Sequence, residues 1–187
     1  MINSNSSFAE VRNEYIDLQK SFSAEFSALS EAELNTKPNE NTWSIGEVLE
    51  HLMVTNTSYF VQFDNILAGN FRPGLWQKIN PFTKWMGKKV LSDLSPEAAK
   101  KFKVLPAFKP VRSTLPANVL NEYLIHTEQV LKYMDALQNR LPEKTVISSP
   151  AAEVVTYTVQ DALRIITIHT ARHLQQALRV KAVLPEK

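Results

Sequence analysis

Residues 158–184 read TVQDALRIITIHTARHLQQALRVKAVL, a run without glycine or proline that Pro185 closes. At about 100° per residue, Ala162, Ile166, Ala177, Val180 and Leu184 fall on one stripe, the pattern of a helix that buries a single face. Thr158 stands at its start, and Asp161 sits in the first turn, where a carboxylate complements the helix macrodipole. His169 and His173 are four residues apart, so they lie one above the other, inside the apolar stripe. Two imidazoles turned toward a core are unfavourable unless their nitrogens find partners. One metal ion supplies a partner for both rings. The alternative is a pair of core histidines hydrogen-bonded to neighbouring helices. Position 170 is Thr170, so the pair is not the HExxH helix of metalloproteases.

Three further helices follow from the same period. The first spans about 8–29, with Val11, Tyr15, Leu18, Phe22, Phe26 and Leu29 on its buried side; a polar linker containing Pro38 follows. The second opens at Ser44-Ile45-Gly46-Glu47, the pattern of a capping box, in which serine and glutamate each satisfy an orphan amide. Its stripe runs from Ile45 through Leu52, Tyr59 and Phe63 to Ile66, and Ala68-Gly69-Asn70 ends it. The third starts near Pro116, a residue suited to a first turn, and continues to about Asn139. Between the second and third, residues 71–115 are punctuated by five prolines and read as a long connection, with a short helix over 81–91 carrying Trp85 and Met86. Residues 141–157 read as a loop with an extended piece at 154–157. Four helices of about 20–25 residues, each with one apolar stripe, must bury those stripes against each other. The expected fold is therefore all-α: a four-helix bundle with a long crossover, about 71–115, between the second and third helices.

At 187 residues the chain is expected to form one domain over 1–187, at roughly 150 residues per domain. The absence of cysteine excludes disulfides, thiolate metal sites and a cysteine nucleophile. A net charge of +2 makes no case for nucleic acid, and the run Lys100-Lys101-Phe102-Lys103 is too short to change that. The polar start, MINSNSS, lacks the basic and apolar regions of a signal peptide, and no stretch has the length of a membrane span. The expectation is a cytoplasmic protein with neither nucleic-acid nor membrane partners.

An open catalytic metal site wants a third protein ligand. His51 lies off the centre of the second helix's stripe and His126 on the flank of the third's, so periodicity does not choose between them; a tyrosine, Asp64 or Glu47 could also serve. Arg172 points about 100° away from the paired histidines, which leaves it at most a rim position. Glu47 and Glu50 are candidates for a base or for support of the ligands from outside, against plainer readings as a capping residue and a solvated surface residue. Trp43 reads as a core anchor, with a pocket wall as its alternative.

The segment Asn41-Thr42-Trp43-Ser44-Ile45-Gly46-Glu47-Val48-Leu49-Glu50-His51-Leu52 resembles the start of the second helix in the DinB-like superfamily. Ile168-His169-Thr170-Ala171-Arg172-His173-Leu174-Gln175-Gln176 resembles that family's last-helix motif. The resemblance extends from the first helix to about Val183. It implies a four-helix bundle holding a divalent metal, typically zinc or nickel, through three histidines; residue by residue these are His51, His169 and His173, while His126 matches no motif position and reads as a partly buried structural histidine. It also implies a small-molecule substrate. Some members resemble S-transferases that use a low-molecular-weight thiol, bacillithiol or mycothiol, and others metal-dependent hydrolases. The alternative is a non-catalytic metal-binding or stress-related interaction protein. A homodimer is expected of a bundle with an amphipathic edge.

Overall fold

A computed structural model of the chain describes residues 2–98, 103–112, 114–140 and 145–185. These are mostly helical. In chain order they form α1 (Phe8–Phe26), α2 (Glu31–Asn35), α3 (Ile45–Leu67), α4 (Leu75–Ile79), α5 (Thr83–Leu94), α6 (Val119–Gln138), β1 (Val146–Ser149), β2 (Ala152–Thr158) and α7 (Val159–Lys181), with a 3-10 turn at Pro106–Phe108. Most of the basic run noted above, Lys100, Lys101 and Phe102, lies outside the described residues, as does Leu141.

The helix starts are written in the sequence. Ser7, Ser30 and Ser44 each accept from the amide three residues on, and Glu10, Glu33 and Glu47 reach back to the serine amides, giving three capping boxes. The first two were not singled out from the sequence, and with the second the short α2 was missed. Thr158 caps α7: its hydroxyl accepts from the Asp161 amide at 3.0 Å and donates to the Asp161 carboxylate at 2.9 Å. Arg164 joins that carboxylate at 2.8 Å and also donates to the Ser6 carbonyl, tying the segment before α1 to α7. At the end of α3, Gly69 takes a positive φ of 74°, the Asn70 amide donates to Asn65 O and the Gly69 amide to Ile66 O. This left-handed closure satisfies carbonyls that the helix leaves open and favours a residue without Cβ.

α1 and α3 each pack against both α6 and α7. The buried side chains form two clusters. One gathers Val11 and Tyr15 of α1, Tyr59 and Phe63 of α3, Met134 and Leu137 of α6, and Val159 through Ile168 of α7. The other gathers Phe22 and Phe26 of α1, Ile45 to Leu52 of α3, Val119 to Tyr123 of α6, and Leu174, Ala177 and Val180 of α7. The start of α3 and the later half of α7 thus share one end of the core, which brings His51 toward His169 and His173.

Two parts of the chain are more ordered than the sequence pattern indicates. The connection after α3 folds into α4, α5 and the 3-10 turn, with α5 packed on α7 and β2. The loop after α6 contains an antiparallel hairpin pairing Val146 with Thr158 and Ile147 with Tyr157, with a register shift between Ser148 and Ser149. The extended piece expected at 154–157 is the inner part of β2. Its burial switches from exposed Val154 to buried Thr156 and Tyr157, and the Tyr157 hydroxyl meets that of Tyr59 at 2.8 Å inside the core.

Candidate metal centre

The capping box at Ser44 fixes where α3 begins, and His51 follows in its second turn, buried. α7 supplies His169 and His173 from successive turns. Across the helices the Nε2 atoms face one another: His51 to His169 at 3.4 Å and His173 to His169 at 3.1 Å. Among the described residues these are the three histidines whose ligand atoms all lie within 4.8 Å of each other. Two nitrogens on one tetrahedral zinc, at about 2.0–2.1 Å each, stand about 3.3–3.4 Å apart. The spacing of the rings therefore suits a shared cation.

The hydrogen-bond inventory points the same way. Nδ1 of His51 donates to the Phe108 carbonyl at 2.6 Å, which leaves Nε2 of the neutral ring as a bare lone pair facing the other two rings. Nε2 of His169 can carry one proton and give it to one neighbour only. The Nδ1 atoms of His169 and His173 are buried without a hydrogen-bond partner among the described residues. Three facing Nε2 atoms cannot satisfy each other, whereas a cation would accept all three lone pairs.

Electrostatics hold the rings in the neutral form that a metal requires. Burial lowers the pKa of His51, opposed by its bond to Phe108. His169 is pushed down to about 3, by burial first and then by His51 and Arg172. His173 lies well below the ordinary histidine value through burial, then His169 and His51, with Gln176 one turn on acting against the shift.

The Trp43 indole closes one side, 4.8 Å from the His51 ring and 6.2 Å from that of His173, centroid to centroid. Trp43 is thus a wall of the site as well as a half-buried core residue. The connection between α5 and α6 reaches the cluster through the Phe108 carbonyl on His51, and two side chains hold it. Arg172 donates to the carbonyls of Ser95 and Ala98, at 3.1 and 3.4 Å. Glu50 accepts from the Val111 amide at 2.8 Å, the Arg112 amide at 3.1 Å and Arg112 Nε at 2.6 Å. The reading of Glu50 as a solvated surface residue is wrong. It is buried, and its carboxylate pins the strand of chain that carries the Phe108 carbonyl onto His51. Phe108 acts through its backbone, which has no side-chain signature in sequence. The signal for Glu50 was its place beside His51, but its partners come from about sixty residues downstream.

The remaining candidates are elsewhere. Glu47 has one oxygen on the Ser44 amide at 2.9 Å and the other on Lys37 at 2.6 Å, so it is a capping residue with an ion-pair partner. Asp64 is exposed and accepts from the Tyr133 hydroxyl at 2.6 Å. His126 stacks on Phe60 at 5.4 Å, and its buried Nε2 has no partner among the described residues. Burial alone takes its pKa down to about 4. It stands apart from the histidine cluster.

No curated protein and no solved structure matches the chain. The family model of the DinB superfamily matches residues 14–177, from within α1 to late in α7. That match contains Trp43, all three clustered histidines and the Phe108 carbonyl that meets His51, and the chain belongs to the DinB superfamily.

Proposed function

We propose that the protein is a metal-dependent enzyme in which His51, His169 and His173 hold one divalent ion, zinc or nickel, at one end of a four-helix bundle made by α1, α3, α6 and α7. The observation that carries this is the convergence of three neutral Nε2 atoms at 3.1 and 3.4 Å, one of them fixed as a lone pair by the Phe108 carbonyl. The bundle reading is supported by the two core clusters. Their make-up, with the starts of α3 and α6 in one cluster and the ends in the other, supports a parallel pair and with it a crossover of about 35 Å between them over 71–115.

Bound there, such an ion supplies Lewis acidity and lowers the pKa of a coordinated water or thiol. The chain's own residues do the rest. Phe108 sets the His51 tautomer, Glu50 and Arg172 hold the connection between α5 and α6, and Trp43 keeps water off two rings. With no cysteine in the chain, a thiolate must come from the substrate. Glu47 and Glu50, the two carboxylates near His51 in sequence, are both engaged elsewhere. Activation of a small thiol, whose free pKa is about 8.5, makes less demand on a protein base than activation of water. Thiol transfer is therefore favoured over hydrolysis.

Elemental analysis of protein purified without a histidine tag tests the centre, and one equivalent of metal is expected. Consumption of a low-molecular-weight thiol by an electrophile, with and without metal, then tests the chemistry. Metal binding without any metal-dependent turnover of thiols or esters would leave a binding protein in its place.

A further inference from the structure

A second surface, remote in sequence from the histidines, carries its own signature. Residues 71–92 contain Arg72, Lys78, Lys84, Lys88 and Lys89 and no acid, although the chain as a whole is only +2. The rest of the molecule is therefore net acidic. Within the same segment Leu75, Trp76, Ile79, Phe82 and Trp85 are between 45% and 74% exposed. Soluble proteins rarely leave so many large apolar side chains together in water without a use.

The segment is held firmly. Asn80, between α4 and α5, is buried, donates to the Thr156 hydroxyl at 2.9 Å and caps the Phe82 amide at 2.9 Å. Thr83 meets the same Thr156 hydroxyl at 2.9 Å. Trp76 Nε1 donates to the Val154 carbonyl at 2.9 Å, and Val154 is itself exposed. On α5, Thr83, Gly87 and Leu91 face inward, which turns Trp85 outward with Lys84 and Lys88. A buried polar knot thus fixes an elbow on which exposed apolar side chains and lysines are interspersed. Lys89 pairs with Asp93, while Lys78, Lys84 and Lys88 have no carboxylate partner among the described residues.

We propose that the α4–α5 elbow is a docking surface for anionic lipid, seating Leu75, Trp76, Ile79, Phe82 and Trp85 at the headgroup boundary while Lys78, Lys84 and Lys88 meet the lipid charge. Exposed aromatic and aliphatic side chains interspersed with lysine are the composition of interfacial elements, and lysine stems let the ammonium groups reach headgroups while the methylenes stay apolar. A second copy of the chain fits poorly. A two-fold contact through this face would set the same lysines against each other. A single-stranded nucleic acid would use the aromatic faces and the charge but leave Leu75 and Ile79 without a role. Among the described residues no helix is long and apolar enough to cross a membrane. Adsorption needs no such helix, so the expectation of no membrane partner, which rested on spanning length, gives way here.

The test is sedimentation of the full chain with vesicles of phosphatidylcholine alone and with phosphatidylglycerol added, at about 0.1 M salt, alongside tryptophan emission. Binding and a blue shift are expected only with the anionic vesicles. Changing Lys78, Lys84 and Lys88 together to Gln should weaken partitioning roughly a hundredfold, from about fivefold per lysine. Phe82→Ser with Trp85→Ser, both at exposed positions, should remove the blue shift while circular dichroism stays unchanged. Failure to sediment with anionic vesicles overturns the proposal. So does partitioning that is indifferent to the three lysines, or a self-associated form that the Phe82/Trp85 variant dissolves.

Discussion

The clamp made by Glu50 links a buried carboxylate to the histidine cluster without touching it, and its removal has a calculable effect on the proposed metal site. Glu50→Ala deletes three hydrogen bonds, two to the amides of Val111 and Arg112 and one to the Arg112 guanidinium. Hydrogen bonds to a charged group contribute about 1.5–3 kcal/mol each. The guanidinium contact is partly exposed and screened, so the two amides dominate, and about 3 kcal/mol of hold on residues 108–112 is lost. Without that hold the Phe108 carbonyl no longer fixes Nδ1 of His51 at 2.6 Å. Losing such an outer partner weakens a metal site about 10–100-fold. Glu50→Gln keeps an acceptor for the amides and should fall within about tenfold of the parent. A competition titration against a chromophoric chelator measures both variants, and amide hydrogen exchange at Val111 and Arg112 should quicken in the same order. If Glu50→Ala binds metal as tightly as the parent but has lost turnover, Glu50 is a base and the positioning argument is wrong.

His169→Ala or His173→Ala should abolish stoichiometric metal, and His51→Ala should weaken it strongly while His126→Ala does little; elemental analysis ranks them, and the reverse order for His51 and His126 would mean a wrong third ligand. His126 has a folded pKa of about 4 against 6.5, so the unfolded chain binds its proton first and stability is lost as pH falls through that window. The lowering corresponds to about 3 kcal/mol by pH 4. Urea melts at pH 7.5 and pH 4.5 should therefore diverge less for His126→Phe than for the parent. Gly87→Ala would place a Cβ 2.8 Å from the Asp161 carboxylate and 3.3 Å from Tyr157 Cβ. Since Thr158 and Arg164 hold that carboxylate, the substitution should destabilise by about 1–3 kcal/mol in thermal or denaturant unfolding.

The four long helices were legible because each carries one apolar stripe and a recognisable end: Ser44 with Glu47 for α3, Gly69 closing it, Thr158 with Asp161 for α7. The His169–His173 pair was legible for the same reason, since helical period places both on a buried face. His51 was not. It lies to one side of its helix's stripe, and only likeness to the family selected it over His126. What escaped were contacts made at long sequence separation. Nothing around Glu50 announces amides at 111 and 112, and nothing around Phe108 announces a carbonyl turned onto His51. α2 is a different case: the Ser30–Glu33 capping box was readable, but five residues are too few to show a period.

The three rings of the cluster are not equivalent. His169 and His173 are carried by one rigid helix, while His51 takes its tautomer from a carbonyl in the connection between α5 and α6. With the proposed ion held there, its occupancy and order in that connection would be thermodynamically linked, and linkage runs both ways. A molecule that grips residues 108–112 in place raises affinity for the ion. A molecule that lifts them away lowers it, with no contact to any ligand atom. Loading the ion, in turn, should slow amide exchange along the same stretch, so the connection serves as a built-in reporter of whether the centre is filled.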